Sequence, residues 1–321
     1  MPLNIPLVEL PDPLRVKAVQ QLRLSPEDAH AIHQFAQDGY YIFHSELPPS
    51  LLDSAAQTIR QACYDAQGNL RHHRLMDAWL EYDVFRQIAM ADKVLHLLRL
   101  FYQREPIPFQ TLNFPVGTEQ LTHSDTIHFH SFPPRYMCGV WIALEDVDAD
   151  NGPLHYYTGS HKLPIYELYD TGRRGSLAFS TPQPEHYGHY ESFVESFISA
   201  QGFERRELFL KKGDGLIWAA NLFHGGSPIR DKRRTRFSQV THYYFENCMY
   251  YSPLMSDPYI GRVYIKPVIN ICTKRFVPSR FDGKRVSVFY GQSFFGKVRQ
   301  LAKVCYLAYR LYRSRFRRSQ F

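Results

Sequence analysis

The sequence predicts an α+β fold: a double-stranded β-helix (jelly-roll, cupin-like) core with N-terminal buttressing helices and a basic C-terminal helix. Helical patterns come first, and short strand-like runs between turn signals follow from Pro106. The five cysteines are scattered without a CxxC pair, which argues against a disulfide scaffold or a zinc ribbon. We therefore expect a single large β domain with added helices and reduced thiols, in the cytoplasm.

Three helices are expected before the first long strand. Ser25 is a capping residue, and a proline and two acids follow it in the first helical turn. The segment "DGYYIF" at 38–43 then predicts a stop and a short strand. A second helix is expected at about 50–66 and a third at about 83–101, because apolar residues recur there at helical spacing.

The strand-rich part is divided by turn signals such as "DADNGP" at 148–153 and "KKGDG" at 211–215. A helix or lid inserted at 185–200 is expected between them. The predicted strands cover 107–114, 121–130, 136–144, 153–157, 206–210, 215–219 and 235–246.

The stretch "QLTHSDTIHFHSF" at 120–132 concentrates histidines near an aspartate. On a strand, His123 and Asp125 would point to the same face and could bind one ion. By itself, this pair of residues is better explained by a strand with polar residues on its wet face.

Two later residues, His224 and Arg236, bear on whether His123 and Asp125 bind an ion. His224 ends the apolar run in "GLIWAANLFHGGSP", where a barrel could bring it beside the earlier pair. Two imidazoles and a carboxylate form the facial set that holds iron(II), although zinc could use the same ligands. Arg236 follows twelve residues later, and a guanidinium inside a barrel would need an anion such as a carboxylate. The alternative is that Arg236 belongs to a solvated basic run over 230–236.

At these residues the sequence resembles the phytanoyl-CoA dioxygenase family of iron(II)- and 2-oxoglutarate-dependent dioxygenases. "GVWIALEDVDADNGPLHYYTGSHKLP" at 139–164 is similar to the family's tract ending in NGPL and GSHK. "DGYYIF" resembles its early Asp-Gly-Tyr strand, and the resemblance covers about 25–250.

The resemblance implies a ligand set and a co-substrate site. His123, Asp125 and His224 would hold the iron, and Arg236 would bind the distal carboxylate of 2-oxoglutarate. Further residues implied near the co-substrate are Trp141, Gln110, Asn113 and Ser227.

Three more histidines are weaker candidates for substrate contact: His128, His130 and His161. If the strand stays regular, His128 and His130 share the face opposite His123. Structural roles, contact with the substrate and metal ligation all stay open for these two. For His161, a place at the entrance and a loop-capping role are equally compatible with the sequence.

The implied activity is hydroxylation of a small-molecule substrate, lipid- or glycan-linked among the options, with release of succinate and carbon dioxide. Related halogenases have a small residue in place of Asp125, so the carboxylate favours hydroxylation, although desaturation or ring formation would use the same site. The alternative function is a catalytically silent jelly-roll binding protein that docks through its basic tail. A zinc-dependent cupin-like enzyme is a third reading.

The positive charge is a property of the tail. Ten lysines and arginines follow Asp282 without an acid, so subtracting them from the net charge of +7 leaves about −3 for residues 1–282. Residues 294–318 predict an amphipathic helix that packs on the domain, lies peripherally on an anionic membrane, or binds an acidic partner. No nucleic-acid fold signature accompanies it, so nucleic acid is not expected.

The expected domain organisation has three parts. An N-terminal extension covers 1–24, the oxygenase domain with its helical buttress covers 25–260, and a basic extension covers 261–321. Neither a signal peptide nor a membrane-spanning segment is expected from the sequence.

Overall fold

The computed structural model describes residues 4–173, 184–290 and 294–316. In these ranges the α-helices are α1 (Asp12–Leu22), α2 (Pro26–Asp38), α3 (Pro49–Cys63), α4 (Asp83–Ala89), α5 (Asp92–Tyr102), α6 (Pro184–Gln201) and α7 (Phe294–Phe316). The longer strands are β1 (Tyr40–His44), β3 (Pro106–Phe114), β5 (Met137–Ala143), β6 (Leu154–Tyr157), β8 (Asp214–Ala219) and β10 (Ser238–Phe245). The short strands are β2 (Leu75–Met76), β4 (His130–Phe132), β7 (Arg205–Glu207), β9 (His224–Gly226), β11 (Met249–Tyr251), β12 (Val268–Asn270), β13 (Arg275–Val277), β14 (Ser279–Phe281) and β15 (Lys284–Val286).

The strands form two principal antiparallel sheets. The larger has six strands in the order β1-β8-β5-β10-β3-β2, and the smaller has three in the order β7-β6-β9. Three two-stranded pairs complete the pattern: the hairpins β12–β13 and β14–β15, and the long-range pair of β4 with β11. The predicted mixture of helices and antiparallel sheets is thereby confirmed.

The large sheet separates two apolar cores because side chains on a strand alternate between its faces. On β10, Tyr243 lies on the helical side, where its hydroxyl donates to the Ala89 carbonyl at 2.8 Å. Val240 lies on the other side, in a core shared with Trp141 and with Tyr156 of the small sheet. The helices therefore buttress one face, and the other face looks towards the small sheet.

Several predicted elements are found close to where the sequence placed them. Ser25 caps α2 and its hydroxyl accepts from the Asp28 amide at 3.1 Å. The inserted helix is α6, and the tail helix is α7 up to Phe316, with residues 317–318 outside the described ranges. The predicted third helix is wrong as one element: it divides into α4 and α5 because Ala91 leaves helical geometry at φ −53° and ψ 128°.

The predicted strand at 121–130 is also wrong. His123 makes one isolated bridge with His224, and a 3-10 turn follows over Asp125–Ile127. Ser124 caps this turn, since its hydroxyl accepts from the Thr126 amide at 3.2 Å and donates to the Ala220 carbonyl at 2.9 Å. The chain therefore turns inside the histidine-rich stretch instead of running straight. The strand expected at 206–210 also stops early, with β7 ending at Glu207.

The first and last described segments pack against this body. Leu7 and Val8 are buried in the helical core. From α7, Gln300 donates to the Ile265 carbonyl at 2.7 Å and Leu311 is buried. Among the described helices, none has both the length and the apolar content to span a membrane.

Candidate active site

His123, Asp125 and His224 come together although their elements are far apart in the chain. The backbone bridge between the two histidines brings them together, with His123 N donating to His224 O at 2.9 Å and the reverse bond at 3.0 Å. One potential ligand atom from each residue lies within 4.8 Å of the others. All three side chains are buried, so the cluster lies inside the fold.

The backbone sets the orientation of both imidazoles. Nδ1 of His123 lies 2.9 Å from the Leu121 carbonyl, and Nδ1 of His224 lies 2.9 Å from the Leu222 carbonyl. A carbonyl can only accept, so each Nδ1 carries the proton and each Nε2 keeps its lone pair for a metal. Burial, with His224 as a neighbour, lowers the pKa of His123 to about 3, so its imidazole is neutral.

Asp125 is held through one oxygen. The indole Nε1 of Trp218 donates to its Oδ2 at 2.8 Å, and Nε2 of His242 lies 3.6 Å from the same atom. Burial would raise the pKa of Asp125, but the neighbouring imidazoles of His224 and His242 outweigh it and bring the pKa well below its usual range. The carboxylate is therefore charged, with Oδ1 directed towards His123.

Gly139 makes room for this arrangement. It pairs with Trp218 across β5 and β8 and with His242 across β5 and β10. A Cβ at Gly139 would overlap the Trp218 indole ring. The absence of a side chain at this position lets the indole reach the carboxylate of Asp125.

The cluster opens into a cavity of about 240 Å³ between the two sheets. Trp141 and Val240 contribute from the large sheet, and Leu154 and His224 from the small one. The cavity wall also contacts α6, because Tyr187 accepts from the lining residue Gln120 at 3.1 Å.

Arg236 lines the same cavity and is a buried cation without an anion. Its Nη1 donates to the Gly152 carbonyl at 2.6 Å, and its guanidinium lies 5.3 Å from the Trp141 ring centre. Its Nε has no hydrogen-bond partner, and among the described residues no carboxylate lies within 4.0 Å of it. Burial lowers the pKa of Arg236 to about 10, so it still carries its charge at neutral pH. An incoming carboxylate would satisfy this buried cation.

The other predicted co-substrate residues divide into two groups. Trp141 and Gln110 line the cavity, and the Gln110 Oε1 lies 3.1 Å from Nδ1 of His242. Asn113 lies on the opposite face of the sheet, where it donates to Gln239 at 3.0 Å. The Ser227 hydroxyl accepts a hydrogen bond from Arg205 at 2.8 Å. Asn113 and Ser227 do not line the cavity, because Asn113 lies on the other face of its strand and the Ser227 hydroxyl is bound by Arg205.

The three weaker histidines are also separated. His128 lines the cavity, with its ring 4.8 Å from that of Tyr187. Nδ1 of His130 lies 2.7 Å from the Tyr251 hydroxyl, and Nε2 of His161 donates to the Ala36 carbonyl at 3.2 Å. The expected common face of His128 and His130 does not exist because the 3-10 turn interrupts the strand. Of the three, only His128 stands where a substrate could touch it.

Sequence reasoning missed Trp218 and His242, which fix Asp125. A signal for His242 was present, because it lies six residues after Arg236 on the predicted strand 235–246 and would share its face. It also missed Arg74 and Lys266, which lie beside the outer part of the cavity. Nothing local in the sequence marks these two, since their positions depend on non-local pairing.

Residues 25–237 match the model of the family described as phytanoyl-CoA dioxygenase (PhyH). The chain belongs to this family. A mouse phytanoyl-CoA dioxygenase domain-containing protein 1 is 33% identical over 82 residues, 24% of this chain and 28% of that protein. An Arabidopsis thaliana phytanoyl-CoA dioxygenase is 24% identical over 158 residues, 42% of this chain and 55% of that protein. The matched segments thus span about a quarter to about half of these relatives.

Solved structures of the same fold are known. The non-heme alpha-ketoglutarate-dependent epimerase SnoN of nogalamycin biosynthesis has a TM-score of 0.53 at 20% identity, covering 70% of this chain and 85% of SnoN. The carbocyclase SnoK has a TM-score of 0.52 at 14% identity, covering 71% and 87%. SnoN has also been crystallised with Fe3+, alpha-ketoglutarate and nogalamycin RO. At these identities the likeness shows the fold.

Proposed function

We propose that this phytanoyl-CoA dioxygenase family member is an iron(II)- and 2-oxoglutarate-dependent oxygenase that hydroxylates a small molecule in the cytoplasm. The observation that carries the proposal is one cavity with two features. His123, Asp125 and His224 bring one potential ligand atom each to within 4.8 Å of one another, and Arg236 is a buried cation that lacks an anion. A metal and a dicarboxylate would satisfy both.

The donor set fits iron(II). Two neutral imidazoles and a charged carboxylate would hold the metal on one face, and Arg236 would bind the distal carboxylate of 2-oxoglutarate. When bound, the iron and 2-oxoglutarate supply the oxidising chemistry, in which dioxygen, 2-oxoglutarate and a substrate C–H give succinate, carbon dioxide and C–OH.

The protein's own residues supply orientation and shielding. The Leu121 and Leu222 carbonyls fix the ring planes, and Trp218 fixes the Asp125 carboxylate. Gln110, at the Nδ1 of His242, sets which nitrogen of that imidazole faces Asp125. Phe129, Leu112 and Val240 make the rest of the wall apolar and so exclude water from the reacting centre.

We also propose that the two facing sheets form the double-stranded β-helix expected from the sequence. The cavity between them and the likeness to SnoN and SnoK support this assignment. The jelly roll with its buttress would occupy 25–260, between the segments 1–24 and 261–321. The catalytically silent alternative finds no support, because the ligand set and Arg236 are both present.

The first test is an anaerobic titration of the metal-free protein with iron(II) and 2-oxoglutarate, following the visible metal-to-ligand charge-transfer band. We expect the band in wild type, its loss in His123→Ala and its appearance only at much higher 2-oxoglutarate in Arg236→Gln. Arg234→Gln is the matched control, because Arg234 makes an ion pair with Asp148 near the surface. Absence of the band in folded wild type would refute the oxygenase assignment.

A second proposal concerns α7, which we infer to contact an anionic membrane surface peripherally. On its inner face, Gln300 and Leu311 are buried against the rest of the protein. The opposite face exposes Val298, Leu301 and Tyr309, each more than half accessible. The flanking cations are Lys297, Arg299, Lys303 and Arg313, with no acid in the helix. Apolar side chains bordered by cations suit an interfacial helix.

Vesicle sedimentation tests this contact. We expect the protein to sediment with phosphatidylserine-containing vesicles, more weakly with phosphatidylcholine alone and more weakly at high salt. Leu301→Asp should abolish binding, whereas Leu22→Asp, at an exposed site on α1, should not. Vesicle binding by Leu301→Asp equal to that of wild type would contradict the membrane assignment. A salt-independent dimer of wild type that is lost in Leu301→Asp would also contradict it, and would favour a second copy of the chain as the partner of this face.

A further inference from the structure

Two further cations lie at the active-site cavity, one in its wall and one beside a lining ring. Arg74 lines the cavity just before the edge strand β2 and is exposed. The Lys266 Nζ lies 4.2 Å from the ring centre of Phe129, another lining residue, and 5.7 Å from that of Phe109. We call Arg74 and Lys266 the cationic rim.

The two rim residues act on the same neighbour. Burial, helped by the positive charges of Lys266 and Arg74, lowers the pKa of His128 to about 4 although Asp125 opposes them. His128 and Arg74 line the cavity, and Lys266 lies beside the lining ring of Phe129. The rim is therefore a local concentration of positive charge beside a neutral imidazole.

The rim has little negative charge to balance it. In the described ranges no carboxylate lies within 4.0 Å of Arg74 or Lys266. Asp77 acts on Lys266 from farther away, but its own carboxylate accepts from the Thr111 amide at 3.2 Å. Lys303 from α7, 5.2 Å from the Tyr264 ring centre, adds another positive charge. Like charges gathered at an apolar wall are costly unless an anion joins them.

The proposed chemistry does not use these cations. The metal ligands and Arg236 account for iron and 2-oxoglutarate at the inner end. The cavity of about 240 Å³ is smaller than the ~300–1,000 Å³ typical of ligand sites, so a substrate would extend towards its exposed side, where Arg74 and Met76 lie. The part of the substrate left outside would meet the rim, with Phe129 and Met76 as its apolar neighbours.

We propose that the substrate carries a carboxylate or phosphate that binds to Arg74 and Lys266, while an adjacent apolar segment places its reacting C–H near His123, Asp125 and His224. This inference rests on the oxygenase function proposed above. The guanidinium of Arg74 would give a two-pronged contact and the ammonium of Lys266 a point charge. Anchoring the substrate at one end limits which carbon reaches the metal.

Calorimetric titration of the full chain with hexyl phosphate, hexanoate and hexan-1-ol tests the rim. The titrations are anaerobic, with iron(II) and saturating 2-oxoglutarate to keep the probes off Arg236. We expect each anion to bind wild type at least tenfold more tightly than the alcohol. Arg74→Gln should weaken both anions about tenfold and leave hexan-1-ol unchanged. Binding of hexyl phosphate alone would identify the anion as a phosphate.

Matched variants make the outcome decisive. Arg71→Gln removes the same charge three residues away, where Arg71 makes an ion pair with Asp65, and should have no effect. Lys266→Gln should weaken the anions and Lys266→Arg should restore them. The proposed anion site would be refuted if hexan-1-ol bound as tightly as the anions. It would also be refuted if Arg71→Gln and Arg74→Gln lost the same affinity for the anions. If the charge-transfer band persists in that case, the oxygenase function stands; a missing band in wild type would refute the function separately.

Discussion

The inner and outer ends of the cavity are built in different ways. At the inner end, His123 and His224 are oriented by backbone carbonyls and Asp125 by an indole. At the outer end, Arg74 and Lys266 are long side chains, with an aromatic ring beside Lys266 and no described carboxylate within 4.0 Å of either. A rigid inner end suits a fixed ligand geometry, whereas adaptable cations suit recognition of substrates that differ in length.

The largest expected effect comes from loosening the rigid end. Trp218→Phe removes the hydrogen bond to Asp125 while keeping most of the ring, so we expect affinity for iron(II) to fall about 10- to 100-fold. Competition with a metal-binding dye under anaerobic conditions measures this. Trp141→Phe is the control, because the Trp141 indole nitrogen has no partner and its ring lies beside Arg236. An unchanged metal affinity in Trp218→Phe would show that the indole does not hold the ligand.

Gly139→Ala, also at the inner end of the cavity, should have a smaller effect, which we expect in the stability of the protein. The added methyl would overlap the Trp218 ring and displace it from Asp125. We expect a loss of about 1–3 kcal/mol in the free energy of unfolding, typical of overpacking, measured by denaturant titration. Gly188→Ala on α6 meets no atom within 4 Å and should stabilise by ~1 kcal/mol. Equal stability of Gly139→Ala and wild type would mean that the sheet adjusts without strain.

The same contrast explains what the sequence could predict. His123, Asp125, His224 and Arg236 were found from spacing and resemblance, because short motifs are local and the family pattern supplies the long-range link. The structural reason first given for the pair was wrong, since Asp125 begins a 3-10 turn and not a strand.

The outer end could not be found in this way. Arg74 reaches the cavity because β2 pairs with β3, and a two-residue strand leaves almost no pattern in the sequence. Lys266 belongs to the segment after 260, which looked like a basic extension and not like part of a cavity wall. Helix ends such as the break at Ala91 depend on packing, so periodicity alone joined α4 to α5. Spacing therefore predicts chemistry at the inner end, and only tertiary pairing reveals specificity at the outer end.

The smallest effect is a pH dependence confined to the outer end. Burial and the charge of Lys303 lower the pKa of Lys266 to about 7, although Asp77 acts in the opposite direction. Of the other groups that act on or beside it, burial raises the pKa of the Asp77 carboxyl and lowers the pKa of His128 to about 4, which leaves that imidazole neutral. Only protonated Lys266 attracts an anion, so affinity for hexanoate should fall about three- to tenfold between pH 6 and pH 8.5.

Hexanoate suits this measurement because a carboxylate stays ionised throughout the range, whereas a phosphate monoester would change charge near pH 6. Lys266→Arg should flatten the profile while keeping the affinity, since a guanidinium does not lose its proton there. Affinity for 2-oxoglutarate at Arg236 should stay constant over the same range, because the pKa of Arg236 is about 10. If the affinity of Lys266→Arg for hexanoate fell with pH as steeply as that of wild type, another group would be titrating. Lys266 would then not be part of the anion site.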